Sequence, residues 1–173
     1  MSLLFLLALQ AAVSGPPAVP GRWVVRQSQH AESGAAGVSA TLLSNDRRAR
    51  MVVRCDVTYS RTISIQILPQ RSSGIAFAVP LTLERVGGAP FLLIWELAPA
   101  GAFARNGERD VMANEAIANL RASAGLLRLT ASDQNGRPVE LLFDNRDGRD
   151  TLARVIEACP PPAAPASAPT PGG

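Results

Sequence analysis

The chain has 173 residues, of which 47% are hydrophobic, 5% aromatic and 18% charged. This composition admits one domain with a packed core and excludes an entirely disordered chain. All 17 basic residues are arginine, against 14 acidic ones, and the resulting net charge of +3 is too mild a surplus to specify a nucleic-acid partner, with few aromatics for base stacking.

Lysine is missing altogether, which points to GC-rich codon usage rather than to a mechanism, since the two cations often substitute for one another on surfaces.

Leu3 to Val13 is an apolar run as long as a signal-peptide core and well short of a membrane span. Ala12-Val13-Ser14-Gly15 follows with small residues where a signal peptidase reads, although Met1 and Ser2 add no basic side chain ahead of the run. The expected organisation is a leader over 1–14, a Gly/Pro-rich linker over 15–20, one globular domain over 21–159 and an uncharged Pro/Ala-rich tail over 160–173. No cysteine lies just beyond the leader, so no lipid anchor is expected, and no later stretch reads as a transmembrane segment. The mature chain is therefore expected in the periplasm or outside the cell.

Within the domain, strands are predicted from alternation. Trp23–Ser28 is the first, and Val38, Ala40 and Leu42 then oppose Ser39 and Thr41. Met51–Val57 follows, with Met51, Val53, Cys55 and Val57 on one face. In Thr62–Leu68 the isoleucines at 63, 65 and 67 oppose Thr62, Ser64 and Gln66. Val79, Leu81 and Leu83 oppose Thr82 and Glu84, and a Gly87-Gly88 turn leads to Phe91–Ala98, which is apolar on both faces except at Glu96 and reads as a central strand. A helix is predicted from Asp110 as N-cap, with Ala113, Ile117, Leu120 and Ala124 on one face and Gly125 as its stop. Leu126–Ser132 and Val139–Asp144 flank an Asn135-Gly136 hairpin signal. Finally, Leu152, Val155, Ile156 and Cys159 form a helical stripe, with Asp147 and Asp150 near its N-terminus and Pro160-Pro161 ending it. The fold class is α+β: mainly antiparallel β, sandwich-like or a curved meander, with about eight strands and two helices.

Both cysteines point toward the core in this reading. In an oxidising compartment they are expected to form a Cys55–Cys159 disulfide that staples the last helix to the sheet, worth about 4 to 5 kcal/mol by chain entropy. That leaves no thiol nucleophile, and His30 alone cannot assemble a zinc site, so no metal or cofactor is expected. His30 lies in a polar, glycine-bounded loop beside Ser33, where general-base chemistry competes with simple solvation. Asp144–Asp150 resembles a calcium loop only superficially: aligning Gly148 with the loop glycine puts Phe143 and Arg154 at ligand positions. Helix-capping and hairpin chemistry explains this acidic run better. Glu84 and Glu96 lie on successive predicted strands, but pairing Val86 with Phe91 sends their carboxylates to opposite faces and separates a glycosidase-like pair. The densest basic cluster is Arg47, Arg48, Arg50 and Arg54, a candidate contact for an anionic lipid, glycan or protein.

Gly21-Arg22-Trp23-Val24-Val25, Met51-Val52-Val53-Arg54-Cys55, and Leu141-Leu142-Phe143-Asp144 running through a glycine to Glu157-Ala158-Cys159 occur in an order that resembles the VasI-like periplasmic proteins associated with type VI secretion. The resemblance covers about residues 21 to 159. It implies a non-catalytic accessory domain and carries over no active-site residues. The leading expectation is a non-enzymatic exported domain that binds an envelope or secretion-system component. The alternatives are a small exported hydrolase using a serine or carboxylate site, and a secreted inhibitor of a foreign enzyme.

Overall fold

The computed structural model describes residues 19–29, 36–56, 62–105 and 112–159. The leader, most of the linker, His30 and Ser33, the predicted N-cap Asp110 and the tail lie outside the described residues.

Four consecutive antiparallel strands, β1 (Val24–Gln29), β2 (Ala36–Leu43), β3 (Ala49–Asp56) and β4 (Thr62–Pro69), begin the fold. A 3-10 turn, Arg71–Ser73, then leads to β5 (Phe77–Arg85). β6 (Glu96–Ala98) and β7 (Gly101–Arg105) come next, then helix α1 (Met112–Ala122), β8 (Leu126–Asp133), β9 (Pro138–Asp144) and helix α2 (Gly148–Glu157). They build a six-stranded sheet of order β1-β2-β3-β4-β7-β6 and a three-stranded sheet of order β5-β8-β9. Period-two alternation decides which residues face inward. Ala40 and Leu42, Met51, Val53 and Cys55, and Ile63, Ile65 and Ile67 from the larger sheet meet Leu83, Leu129, Leu141 and Phe143 from the smaller one. The helices join the same cluster through Ile117 and Leu120 of α1 and Leu152 and Val155 of α2.

The Cys55–Cys159 disulfide is formed, joining residues 104 apart in sequence with Cα atoms 5.5 Å apart. Cys159 lies two residues past the end of α2, so the bond ties the exit of that helix to the middle of the larger sheet.

Two expectations are corrected. Phe91–Ala98 is not a central strand: only Glu96–Ala98 pairs, as the edge strand β6. The preceding residues run extended between the two sheets, meeting β5 through the Phe91 N–H to Leu83 O bond of 2.8 Å and a Glu84–Pro90 bridge. Their alternation survives the loss of pairing, since Phe91, Leu93 and Trp95 pack on the core while Leu92 and Ile94 are 73% and 61% exposed. Asp147, in turn, sits at the N-cap position of α2 without making a side-chain cap. Its carboxylate accepts the backbone N–H of Trp23 instead, at 3.2 and 3.3 Å.

The neighbour of Asp147 explains that arrangement. Asn145 is 1% exposed, and its Oδ1 accepts the Trp23 indole N–H at 2.8 Å. Its Nδ2 donates to the carbonyls of Leu120 and Ser123 at 2.7 and 2.5 Å at the C-terminal end of α1, where the Leu120 carbonyl also takes the Ser123 N–H at 3.3 Å. Its backbone N–H meets Gly125 O at 2.8 Å, and its carbonyl accepts the Gly148 N–H at 3.1 Å. A Cβ on Gly148 would fall onto the Asn145 amide, so glycine opens α2 for want of space.

Asn145→Ala leaves a buried indole N–H and the Ser123 carbonyl short of a partner and removes one of two donors from the Leu120 carbonyl, and is expected to cost about 3 kcal/mol in chemical denaturation. Reduction of the disulfide should cost a further 4 kcal/mol or so. Retention of wild-type stability by the alanine variant would remove Asn145 from its central place.

Candidate functional site: the arginine-bearing sheet face

The helices and the smaller sheet share a core with the inward residues of the larger sheet, which leaves the outward residues of the larger sheet as a broad face. The strand register lays these out in transverse rows. One runs Arg26, Ser39, Arg54, Ser64 across β1 to β4. The next runs Val24, Thr41, Val52, Gln66, Phe103 and Glu96 across all six strands. A third places Arg50 between Leu43 and Leu68. Val52 points outward yet is buried, as are Val24, Leu43 and Ser64 on the same face, whereas Arg50 and Arg54 are exposed. Gln66 Nε2 donates to Ser64 Oγ at 3.0 Å, orienting one amide of the face. Among the described side chains that the register places there, Glu96 on the edge strand is the carboxylate and Arg26, Arg50 and Arg54 are the cations. Arginine suits this position chemically, since its planar fork matches carboxylate or phosphate oxygens in pairs.

The basic cluster of the sequence is divided by the fold. Arg50 and Arg54 belong to the face, whereas Arg47 and Arg48 belong to the β2–β3 turn. Arg47 is exposed at the turn with a φ of 62°. Arg48 holds the turn together: its Nε meets Asp46 Oδ2 at 2.6 Å, and its Nη2 donates to Glu140 O on β9 at 2.9 Å. Asp46 also accepts the Arg48 backbone N–H at 3.0 Å and the Ser44 hydroxyl at 2.7 Å, while Ser44 Oγ takes the Ala49 N–H at 3.0 Å. With Asn45 N–H bonded to Leu142 O at 2.8 Å, this turn caps the outer edge of β9. Arg48 is thus a structural cation. Arg26 comes into the site through the register alone, with no sequence signal beyond its place on an alternating strand.

The other sequence candidates are not brought together. Glu84 lies on the smaller sheet, with its Oε1 3.0 Å from Arg128 Nε. The N–H is not aimed along that line, so the contact is ionic rather than a hydrogen bond. Glu96 is on the edge of the other sheet, so the two carboxylates are separated by sheet rather than by face, and Glu84 stands opposite Pro90, a register other than the Val86–Phe91 pairing expected. No group of three metal-ligating side chains occurs among the described residues. No helix among them is long and apolar enough to cross a membrane.

No protein-family model matches the chain, and no curated protein matches it. Among solved structures, it is similar to invasion associated protein B from Bartonella henselae, with 17% identity and a TM-score of 0.49 over 80% of this chain and 93% of that one.

Burial works against ionisation of Asp46, but the Arg48 N–H, the Ser44 hydroxyl and the Arg48 guanidinium outweigh it and hold the carboxyl below its ordinary value of 3.8. A group whose pKa is lowered on folding adds stability above its unfolded value and loses it as pH falls through the folded one. The stability contribution of the Asp46 charge should therefore be full at neutral pH and be lost progressively as pH falls below about 3.8, toward the lower folded value. In acid titrations followed by thermal melting, Asp46→Asn is expected to flatten the stability curve in that window. An unchanged acid slope would show that the turn does not depend on this charge.

Proposed function

We propose that the chain is a non-enzymatic exported binding domain that engages an anionic component of the cell envelope through the outer face of its six-stranded sheet. The observation that carries this reading is the face itself, where Arg26 and Arg54 share a row with Ser39 and Ser64, Thr41 and Gln66 stand in the next row, and Arg50 in the one beyond it. Guanidinium groups spaced among hydroxyls and an amide supply both charge and directional donors to phosphate, carboxylate or sulfate oxygens. Export is supported by the disulfide, which persists in oxidising compartments, and by the apolar run over Leu3–Val13 read as a leader. The resemblance to VasI-like periplasmic proteins supports an accessory role beside a secretion system.

The test is binding of the chain to phosphatidylglycerol vesicles and to heparin as a soluble sulfated glycan, over a range of salt. Binding to at least one is expected at low salt, with release as salt screens the charges. At roughly 1 kcal/mol per basic side chain near an anionic surface, Arg26→Gln with Arg54→Gln should weaken it about thirtyfold. Failure to bind either polyanion at low salt, or binding that the double variant leaves intact, would overturn the proposal.

A further inference from the structure

Beyond the edge of the arginine face lies a cleft of about 810 Å³, lined by Arg50 and Leu68 on one side, by Arg71 and Ile75 around the 3-10 turn, and by Pro99 and Ala100 of the β6–β7 turn. Its size is that of a small-molecule site. Both walls are fixed by the backbone. The 3-10 turn is tied to the β2–β3 turn by the Gln70 N–H to Arg48 O bond of 2.7 Å, and it is closed by Ser73, whose hydroxyl donates to Gln70 O at 2.7 Å and accepts the Ile75 N–H at 3.3 Å. On the opposite wall, Gly101 has a φ of 149°, and a Cβ there would collide with the carbonyl of Ile67. Glycine thus lets the β6–β7 turn close on β4 and carry Pro99 and Ala100 to the rim.

The lining chemistry is one-sided. Arg50 and Arg71 come from different elements, neither guanidinium is paired among the described residues, and no carboxylate lines the cleft. Leu68, Pro69, Ile75 and Pro99 supply apolar surface beside them. A second cleft of about 440 Å³ near α2 differs in this respect, mixing Arg121, Arg146 and Arg149 with Asp147 and Asp150.

We infer that the first cleft binds a small amphiphilic oxyanion, a phosphate or carboxylate carried on an apolar body, with Arg50 and Arg71 gripping the oxyanion and Leu68, Ile75 and Pro99 receiving the apolar part. Two guanidinium forks suit the oxygens of one anionic group. The apolar wall makes the body of the ligand contribute to affinity, which separates this site from a purely electrostatic surface. The site shares Arg50 with the face reading and is distinguished from it by Arg71, which belongs to the 3-10 turn after β4.

Calorimetric titration of the full chain with octyl phosphate is expected to saturate, and inorganic phosphate should bind at least tenfold more weakly. Arg71→Gln should weaken octyl phosphate binding at least tenfold, as should Arg50→Gln, with folding of each variant confirmed by its thermal melt. Arg47→Gln, at the β2–β3 turn, should leave it unchanged. The Arg26→Gln, Arg54→Gln double variant should also keep it, so that loss of face binding and loss of cleft binding can be told apart. If Arg71→Gln also loses phosphatidylglycerol vesicles, the oxyanion comes from a lipid headgroup. If it loses octyl phosphate alone, the ligand is a free amphiphile. Absence of saturation at millimolar octyl phosphate, or full binding by Arg71→Gln, would overturn the inference.

Discussion

One buried amide holds the parts of this domain in register with each other. Asn145 takes the indole N–H of Trp23, gives its own two amide protons to the last carbonyls of α1, and meets the start of β8 and the first residue of α2 through its backbone. The segment entering β1, the exit of α1 and the entry to α2 therefore converge on a single side chain. A buried amide with its donors and acceptors satisfied is specific in a way that a methyl contact is not, because a shift of either helix would strand several polar groups at once. The empty space at Gly148 is the steric counterpart: the amide fits only because the residue that opens α2 has no side chain.

The convergence places the Asn145 hub and both helices on one side of the larger sheet, and the disulfide fixes the far end of α2 to β3 on the same side. On the outward side of β1 to β4, Val24, Leu43, Val52 and Ser64 are buried while Arg50 and Arg54 are exposed. The first cleft opens where this face meets the turns after β4 and β6. The division between a stapled inner side and a cationic outer side follows from strand alternation, which sends neighbouring residues such as Val53 and Arg54 to opposite environments.

Much of the inner side was legible in the sequence. Ile63, Ile65 and Ile67, and Leu152 with Val155, announce their elements by period alone, and the inward parity of Cys55 together with the helical stripe ending at Cys159 anticipated the bond between them. Asn145 was not legible, because within an Asp-Asn-Arg-Asp-Gly run it has the composition of a solvated turn, and its burial depends on Trp23, 122 positions away. Phe91–Trp95 misled for a related reason. Apolarity on both faces suggested a central strand, but only Phe91, Leu93 and Trp95 pack on the core while Leu92 and Ile94 stand in solvent, a distinction that composition does not carry. The site was half visible: Arg50 and Arg54 are neighbours in sequence, but Arg26 joins them through β2, and Arg71 joins Arg50 through a turn whose shape rests on Ser73 and Gly101.

The absence of lysine acquires a chemical meaning on this face. Guanidinium groups stay protonated throughout the range in which proteins remain folded, whereas amines and imidazoles do not. Arginine alone supplies the cations at positions 26, 50, 54 and 71, so amine-directed acetylation has nothing there to modify. The basic character of this surface is written into the sequence and cannot be turned down by the commonest charge-removing modification of basic side chains.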